Sequence, residues 1–217
     1  MYYIGSKPTL GHYAGIEPLD GDVSKIEVAD KTPDAGFDVN SASTYPTYQG
    51  RPVLTEHVPT KLEWQETGPV PDVGIVRGML VVPPRFREIV EQFEPDVHQF
   101  LPVDVLDQSG ALLAKRYFFI ACNRLDSVDR THTVMILSKG MLWRPARDIA
   151  RRRPEDIPPG FDVSAPPKIV FNNAQIGEKH AWCDKFLMYG PYLSDALGTA
   201  LEKENFTGID LKKGEAV

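Results

Sequence analysis

The sequence predicts an α+β fold: a largely antiparallel sheet with a few short helices, preceded by an irregular, β-leaning N-terminal region. Strand-like runs follow one another without the regular βαβ alternation that builds a parallel sheet. Helical periodicity is missing from the first 75 residues and sharpens only from Pro83 onward. The chain of 217 residues also carries 19 prolines and 17 glycines, with prolines recurring from Pro8 to Pro167, so much of its length turns. A hydrophobic share of 42% and a charged share of 25% are ordinary for a globular protein. A chain of this length buries a core without disulfide or metal staples. The division expected is residues 1–80 as the N-terminal region and residues 81–217 as the α+β domain, joined in one continuous core.

Taken in order, residues 25–28, 52–54 and 61–64 are short extended pieces broken by Pro, Gly, Asp and Ser. Residues 40–50 mix Ser, Thr and Tyr in a loop-like setting. That mixture suits an adaptable binding loop, since tyrosine offers rigid amphipathic contact area, and it is equally an ordinary loop composition. Phe86, Ile89, Val90 and Phe93 then fall at i, i+3, i+4 and i+7, with Pro84 suited to a first turn and Pro95 beyond the end, which predicts a helix. Residues 98–106 and 112–122 flank a break with Gly110 and read as an antiparallel hairpin. Residues 133–137 give a further strand, 141–153 a short helix confined by Pro145, and 168–171 a strand after a proline-rich loop. Near the end, Leu193, Leu197, Ala200 and Leu201 form one apolar stripe above a polar last turn of Glu202, Lys203 and Glu204. Residues 209–211 close the sheet after a Thr207-Gly208 turn. No fixed-period repeat is present.

A net charge of −6 and a pI near 5.4 disfavour nucleic-acid binding, which needs Lys and Arg against phosphate. The charge is uneven: six Lys/Arg face eleven Asp/Glu in residues 1–80, so five of the six net negative charges lie there. Such a surface suits a basic partner through long-range steering, and it also serves plain solubility. The N-terminus shows no basic stretch followed by an apolar one, and no apolar run reaches the roughly 18 residues of a membrane span. A cytoplasmic protein that does not enter a membrane is expected. The two cysteines, Cys122 and Cys183, fit reduced thiols better than a disulfide.

Asp126, Asp129 and His132 have the chemistry for metal binding or acid–base work, but Asp and Thr between two strands more often build turns. A zinc site would need His180 and Cys183 to meet Cys122 and His98 in space, and no paired-ligand spacing announces one, so no metal and no other cofactor is expected. The basic stretch of residues 144–153 holds Arg144, Arg147, Arg151, Arg152 and Arg153 and is followed by Glu155 and Asp156. A solvated helix end accounts for it, with a grip on phosphate or an acidic partner as the alternative. Glycine-rich phosphate loops and the short hydrolase and metalloprotease signatures are absent, so no catalytic residue is assigned.

Several segments, in this order, carry a resemblance: the helix ending at Phe93, Phe100-Leu-Pro-Val-Asp-Val, Tyr117-Phe-Phe-Ile-Ala-Cys-Asn-Arg-Leu-Asp-Ser-Val-Asp129, Lys168-Ile-Val-Phe, Tyr192-Leu-Ser-Asp-Ala-Leu and Phe206-Thr-Gly-Ile. From Pro83 onward the chain resembles the immunity-protein family of bacterial polymorphic toxin systems, a myxobacterial-type domain long without known function. The resemblance implies neutralisation of a cognate toxin by direct binding, a partner usually encoded nearby, and no active site. Asp129 and the Thr207-Gly208 turn match recurring family positions and read as fold-maintaining. The alternative is a small hydrolase or nucleotide-modifying enzyme using Asp126, Asp129 and His132. For toxin binding, the expected contacts are Tyr45, Tyr48 and Trp64 beside Glu56, Glu63, Glu66 and Asp72, aromatic anchors among charges that steer encounter.

Overall fold

The computed structural model describes residues 1–6, 15–37 and 45–217, so residues 40–44 of the Ser/Thr/Tyr loop lie outside the described residues. The first half contains β1 (Tyr2–Ser6), β2 (Ile16–Pro18), β3 (Lys61–Trp64), β4 (Gly74–Val76), β5 (Met79–Val82), α1 (Pro84–Phe93), β6 (Gln99–Leu106) and β7 (Leu112–Ile120). There follow β8 (Arg124–Leu125), β9 (Ile136–Ser138), β10 (Leu142–Arg144), α2 (Ala146–Ala150), β11 (Val170–Phe171) and α3 (Asn173–Ile176). The last elements are β12 (Ala181–Asp184), β13 (Tyr192–Leu193), α4 (Asp195–Lys203), β14 (Ile209–Lys213) and β15 (Glu215–Ala216). Among the described residues eight strand pairings are antiparallel and three parallel, which makes the fold α+β with mainly antiparallel sheets.

The larger sheet has the order β2-β3-β6-β7-β5-β4. It curls until its edge strands meet, because Gly74 of β4 leaves room for Ile16 of β2; an added Cβ there would stand 3.0 Å from the Ile16 Cδ1. Alternation then separates an inside from an outside. Ile16, Leu62, Trp64, Val76, Met79, Val81, Val103, Val105, Phe118 and Ile120 fill the inside with Val53 and Val58. Leu80, Val82 and Phe119 point outward and meet Phe86, Ile89 and Val90 of α1. All four residues of β5 are buried because both of its faces are covered.

The second sheet, β14-β1-β13-β12-β8, shares that outer cluster: Tyr2, Ala181, Cys183 and Leu193 join Leu197 and Leu201 of α4 there. Its other face carries Trp182, packed with Met1, Val128, Trp143 and Phe171. The helices are set by local chemistry. Pro84 opens α1, where a missing N–H costs nothing, and Ser194 caps α4 by accepting the Leu197 N–H at 3.2 Å. That cap begins the helix at Asp195, so Leu193 of the expected stripe lies in β13 instead. The 98–122 hairpin forms as expected, its turn held by Asp107 accepting the Ser109 and Ala111 N–H groups at 2.8 Å.

Two segments differ from expectation. Residues 141–153 hold a strand followed by one short helix, because Pro145 ends the first and precedes the second. In the 133–137 segment the strand starts at Ile136, while Val134 makes an isolated bridge to Lys168. Strands β4, β5 and β12 had no sequence signal. β4 spans three residues, and β5 and β12 are buried at every position, so no alternation shows.

Candidate functional site

Tyr45 precedes and Tyr48 ends a 3-10 turn, Pro46–Tyr48, in which the Tyr48 N–H donates to the Tyr45 carbonyl at 2.9 Å. The turn docks on the β4–β5 hairpin: the Thr47 hydroxyl donates to the Gly78 carbonyl at 3.3 Å, and the Tyr45 ring lies so close that a Cβ on Gly78 would stand 2.6 Å from it. Gly78 has φ +82, so hairpin geometry and ring contact both require glycine. The Tyr45 and Tyr48 rings meet edge-on at 6.0 Å, and Tyr48 meets Tyr189 in the same way at 6.2 Å. Burial pushes the Tyr48 phenol up to about 12, so it stays protonated at neutral pH.

The other expected contact residues fall into two groups. Glu63 lies on the outside of β3, opposite Glu17 of β2, and Glu66 follows it beside Gly15. Glu56 is exposed in the loop before Val58, next to His57, whose carbonyl accepts the Asp22 N–H at 2.9 Å. Glu17 and Glu63 thus share one outer face of the curled sheet, with Glu56 before β3 and Glu66 after it. Trp64 stands inside that sheet, 4% exposed, with its indole N–H donated to the Gly68 carbonyl at 3.0 Å. Asp72 accepts the Thr207 N–H at 2.9 Å and the Thr207 hydroxyl at 2.8 Å, tying the Thr207-Gly208 turn to the chain before β4.

The Asp126–His132 segment is turn chemistry. One oxygen of Asp129 accepts the N–H groups of Thr131 and His132, at 3.0 and 2.8 Å, and the other accepts from Asn172 at 3.1 Å. The His132 backbone and ring, with Asn172, hold the Asp129 carboxyl at about 2. Asp126 faces Arg130 at 2.9 Å. Among the described residues no group of His, Cys, Asp or Glu is arranged to hold a metal ion. His98 lies between Glu94, 3.0 Å away, and the Cys122 N–H, while His180 pairs with the Ser194 hydroxyl at 2.8 Å. In the basic stretch, Arg153 pairs with Asp156 at 3.2 Å and donates to Ser138, whereas Arg151 and Arg152 are exposed just past α2.

Two polar nodes that join distant elements had no signal beyond their residue types. Glu94, 6% exposed at the end of α1, accepts from the His180 and Ala181 backbones at 3.0 and 2.8 Å and from Asn123 at 2.9 Å, besides the His98 ring. Burial by itself raises its pKa; the bonds from His98, Ala181 and His180 outweigh that and hold the carboxyl at about 2. Arg124, with its side chain 6% exposed, grips Asp34 bidentately at 2.9–3.1 Å and also donates to the carbonyls of Phe37 and Gln49. These bonds fix the segment carrying Asp34 and the turn carrying Tyr48 onto β8.

Comparison with known families places the chain in the class of immunity proteins. Residues 10–216 match the Immunity protein family (Imm11), and the chain belongs to that family. No curated protein matches it. Among the described residues no helix is long and apolar enough to cross a membrane.

Proposed function

We propose that this chain neutralises a cognate bacterial toxin in the cytoplasm by binding it directly, through an interface of the standard size of roughly 1,600 Å². Membership of the immunity family across residues 10–216 carries the reading. Tyr45 and Tyr48 serve as contact anchors, and Glu56, Glu63 and Glu66 steer the encounter. Trp64 contributes by holding β3 beneath Glu63, and Asp72 by holding the Thr207-Gly208 turn. Stoichiometric binding needs no chemistry from Asp126, Asp129 or His132.

Co-expression with the toxin, paired with size-exclusion chromatography of the purified proteins, tests this. Cells survive and the two proteins elute together if binding is the mechanism. An Asp126→Asn/His132→Gln variant that melts like the wild type keeps full protection. Protection without a detectable complex, or loss of protection in this variant while the complex persists, would refute neutralisation by binding alone.

A further inference from the structure

The face that holds Tyr45 and Tyr48 continues at both ends, and its continuation defines the partner's chemistry. At one end Tyr189, 68% exposed on the turn before β13, completes a row of three tyrosines. At the other end Tyr45 shares a crevice with Val23 and Arg77. Those two residues also wall an open groove of about 380 Å³, whose remaining lining includes Glu17, Leu19, Asp20 and Asp22. Tyr45 and Leu19 are about half exposed, so apolar area runs along the whole strip. Tyrosine and arginine on a pre-ordered support are the usual makings of an interface hot spot, because little side-chain freedom remains to be lost. The support here is the Pro46–Tyr48 turn seated on Gly78.

The charge of the strip chooses the occupant. Arg77 is already engaged by Glu17 at 3.0 Å, and Lys25 by Asp22 at 3.0 Å. The groove lining itself carries three acids, Glu17, Asp20 and Asp22, against Arg77 alone, with Lys25 resting on Asp22. A cation entering the groove meets excess negative charge, and tyrosine faces beside it favour a cation further.

Resting on the immunity reading, we infer that the strip from Leu19 through Tyr45 and Tyr48 to Tyr189 is the toxin-docking surface. Its occupant is a basic segment of the toxin, with a Lys or Arg side chain in the groove and the neighbouring apolar atoms over the tyrosines.

The test uses the full chain and the purified toxin domain that it protects against in co-expression. Affinity and association rate are measured at low and high salt for wild type, Tyr45→Ser/Tyr189→Ser, Glu17→Gln/Asp22→Asn and the remote control Arg147→Ala/Arg151→Ala, each first shown to melt like the wild type. The tyrosine pair should weaken binding at least about tenfold. The acidic pair should slow association several-fold at low salt, with the difference fading at high salt, and the control should change neither. Hydroxyl-radical footprinting of the unmutated complex gives an independent readout, in which oxidation of Tyr189 should fall on binding. If the tyrosine pair binds within twofold of wild type and Tyr189 stays reactive, the strip is overturned while the immunity reading stands. If the acidic pair associates faster, the toxin face is acidic and the basic segment is wrong. If the wild-type chain protects against its toxin without binding it, the underlying function fails, whatever the variants do.

Discussion

Glu94 shows how one buried carboxylate can join parts of the chain that sequence reading keeps apart. It closes α1, accepts two backbone N–H groups at the start of β12 and touches His98 and Asn123, so removing its charge loosens four contacts together. Glu94→Gln keeps the shape but turns an NH2 group toward donors. Bonds to a charged group contribute about 1.5–3 kcal/mol each, so a loss of at least about 2 kcal/mol is expected in urea unfolding at neutral pH. The folded carboxyl sits at about 2, below its ordinary 4.5, so its stabilising contribution is complete above the ordinary value and disappears as pH falls through the folded one. The stability gap between wild type and Glu94→Gln should therefore hold steady from pH 7 to pH 5 and narrow toward pH 2.5. A gap that did not narrow would show that the carboxyl is not held ionised. Asp129 was different: its place among Ser, Thr and Asp residues made a turn role visible in the sequence, because such turns are built from neighbouring backbone N–H groups. Glu94 has partners as far off as Ala181, and no local pattern encodes them.

At the scale of elements, α1 and the 98–122 hairpin were legible because each buries one face and turns at residues suited to turning, Pro84 in the first and Asp107 with Gly110 in the second. The C-terminal helix was legible by its apolar stripe, but its start was not, since the Ser194 cap rather than the apolar period decides it. What no periodicity encodes is contact between elements, and Gly198 illustrates this. In an isolated helix Gly→Ala would add up to about 1 kcal/mol of stability. Here Tyr2 of β1 lies across α4 so closely that an alanine Cβ would collide with its ring. The Tyr2 side chain is fully buried among Leu80, Phe86 and Leu193, and it has no free direction in which to move. Gly198→Ala is therefore expected to destabilise by about 1–3 kcal/mol, the usual cost of overpacking, and to lower the melting temperature. A higher melting temperature would mean that Tyr2 and α4 are not packed so tightly.

The whole molecule is electrically lopsided, with its acidic excess in the N-terminal third and its densest basic stretch, Arg144 to Arg153, far along the chain. The sequence displayed this imbalance, and it also displayed Tyr45 and Tyr48. It did not display their union with Tyr189, which reaches them from the turn before β13 in the other sheet, and the separation of Trp64 from Glu63 follows from the alternation of β3 once one face of that strand is buried. Trp64 alternates inward while Glu63 faces outward across from Glu17, so one strand gives a core residue and a surface charge from adjacent positions. Long-range steering depends on where exposed charge sits, and it weakens as salt shortens the Debye length from about 30 Å at 0.01 M to about 8 Å at 0.15 M. If the acidic flank leads the encounter, Tyr48→Ala combined with Glu63→Lys and Glu66→Lys should slow association with the toxin, more at low salt than at high, while Arg151→Ala/Arg152→Ala should leave the rate unchanged. Stopped-flow association at two ionic strengths, on variants with unchanged melting curves, measures both. Slower association in the arginine variant with none in the acidic one would place the toxin on the basic face, requiring an acidic toxin surface.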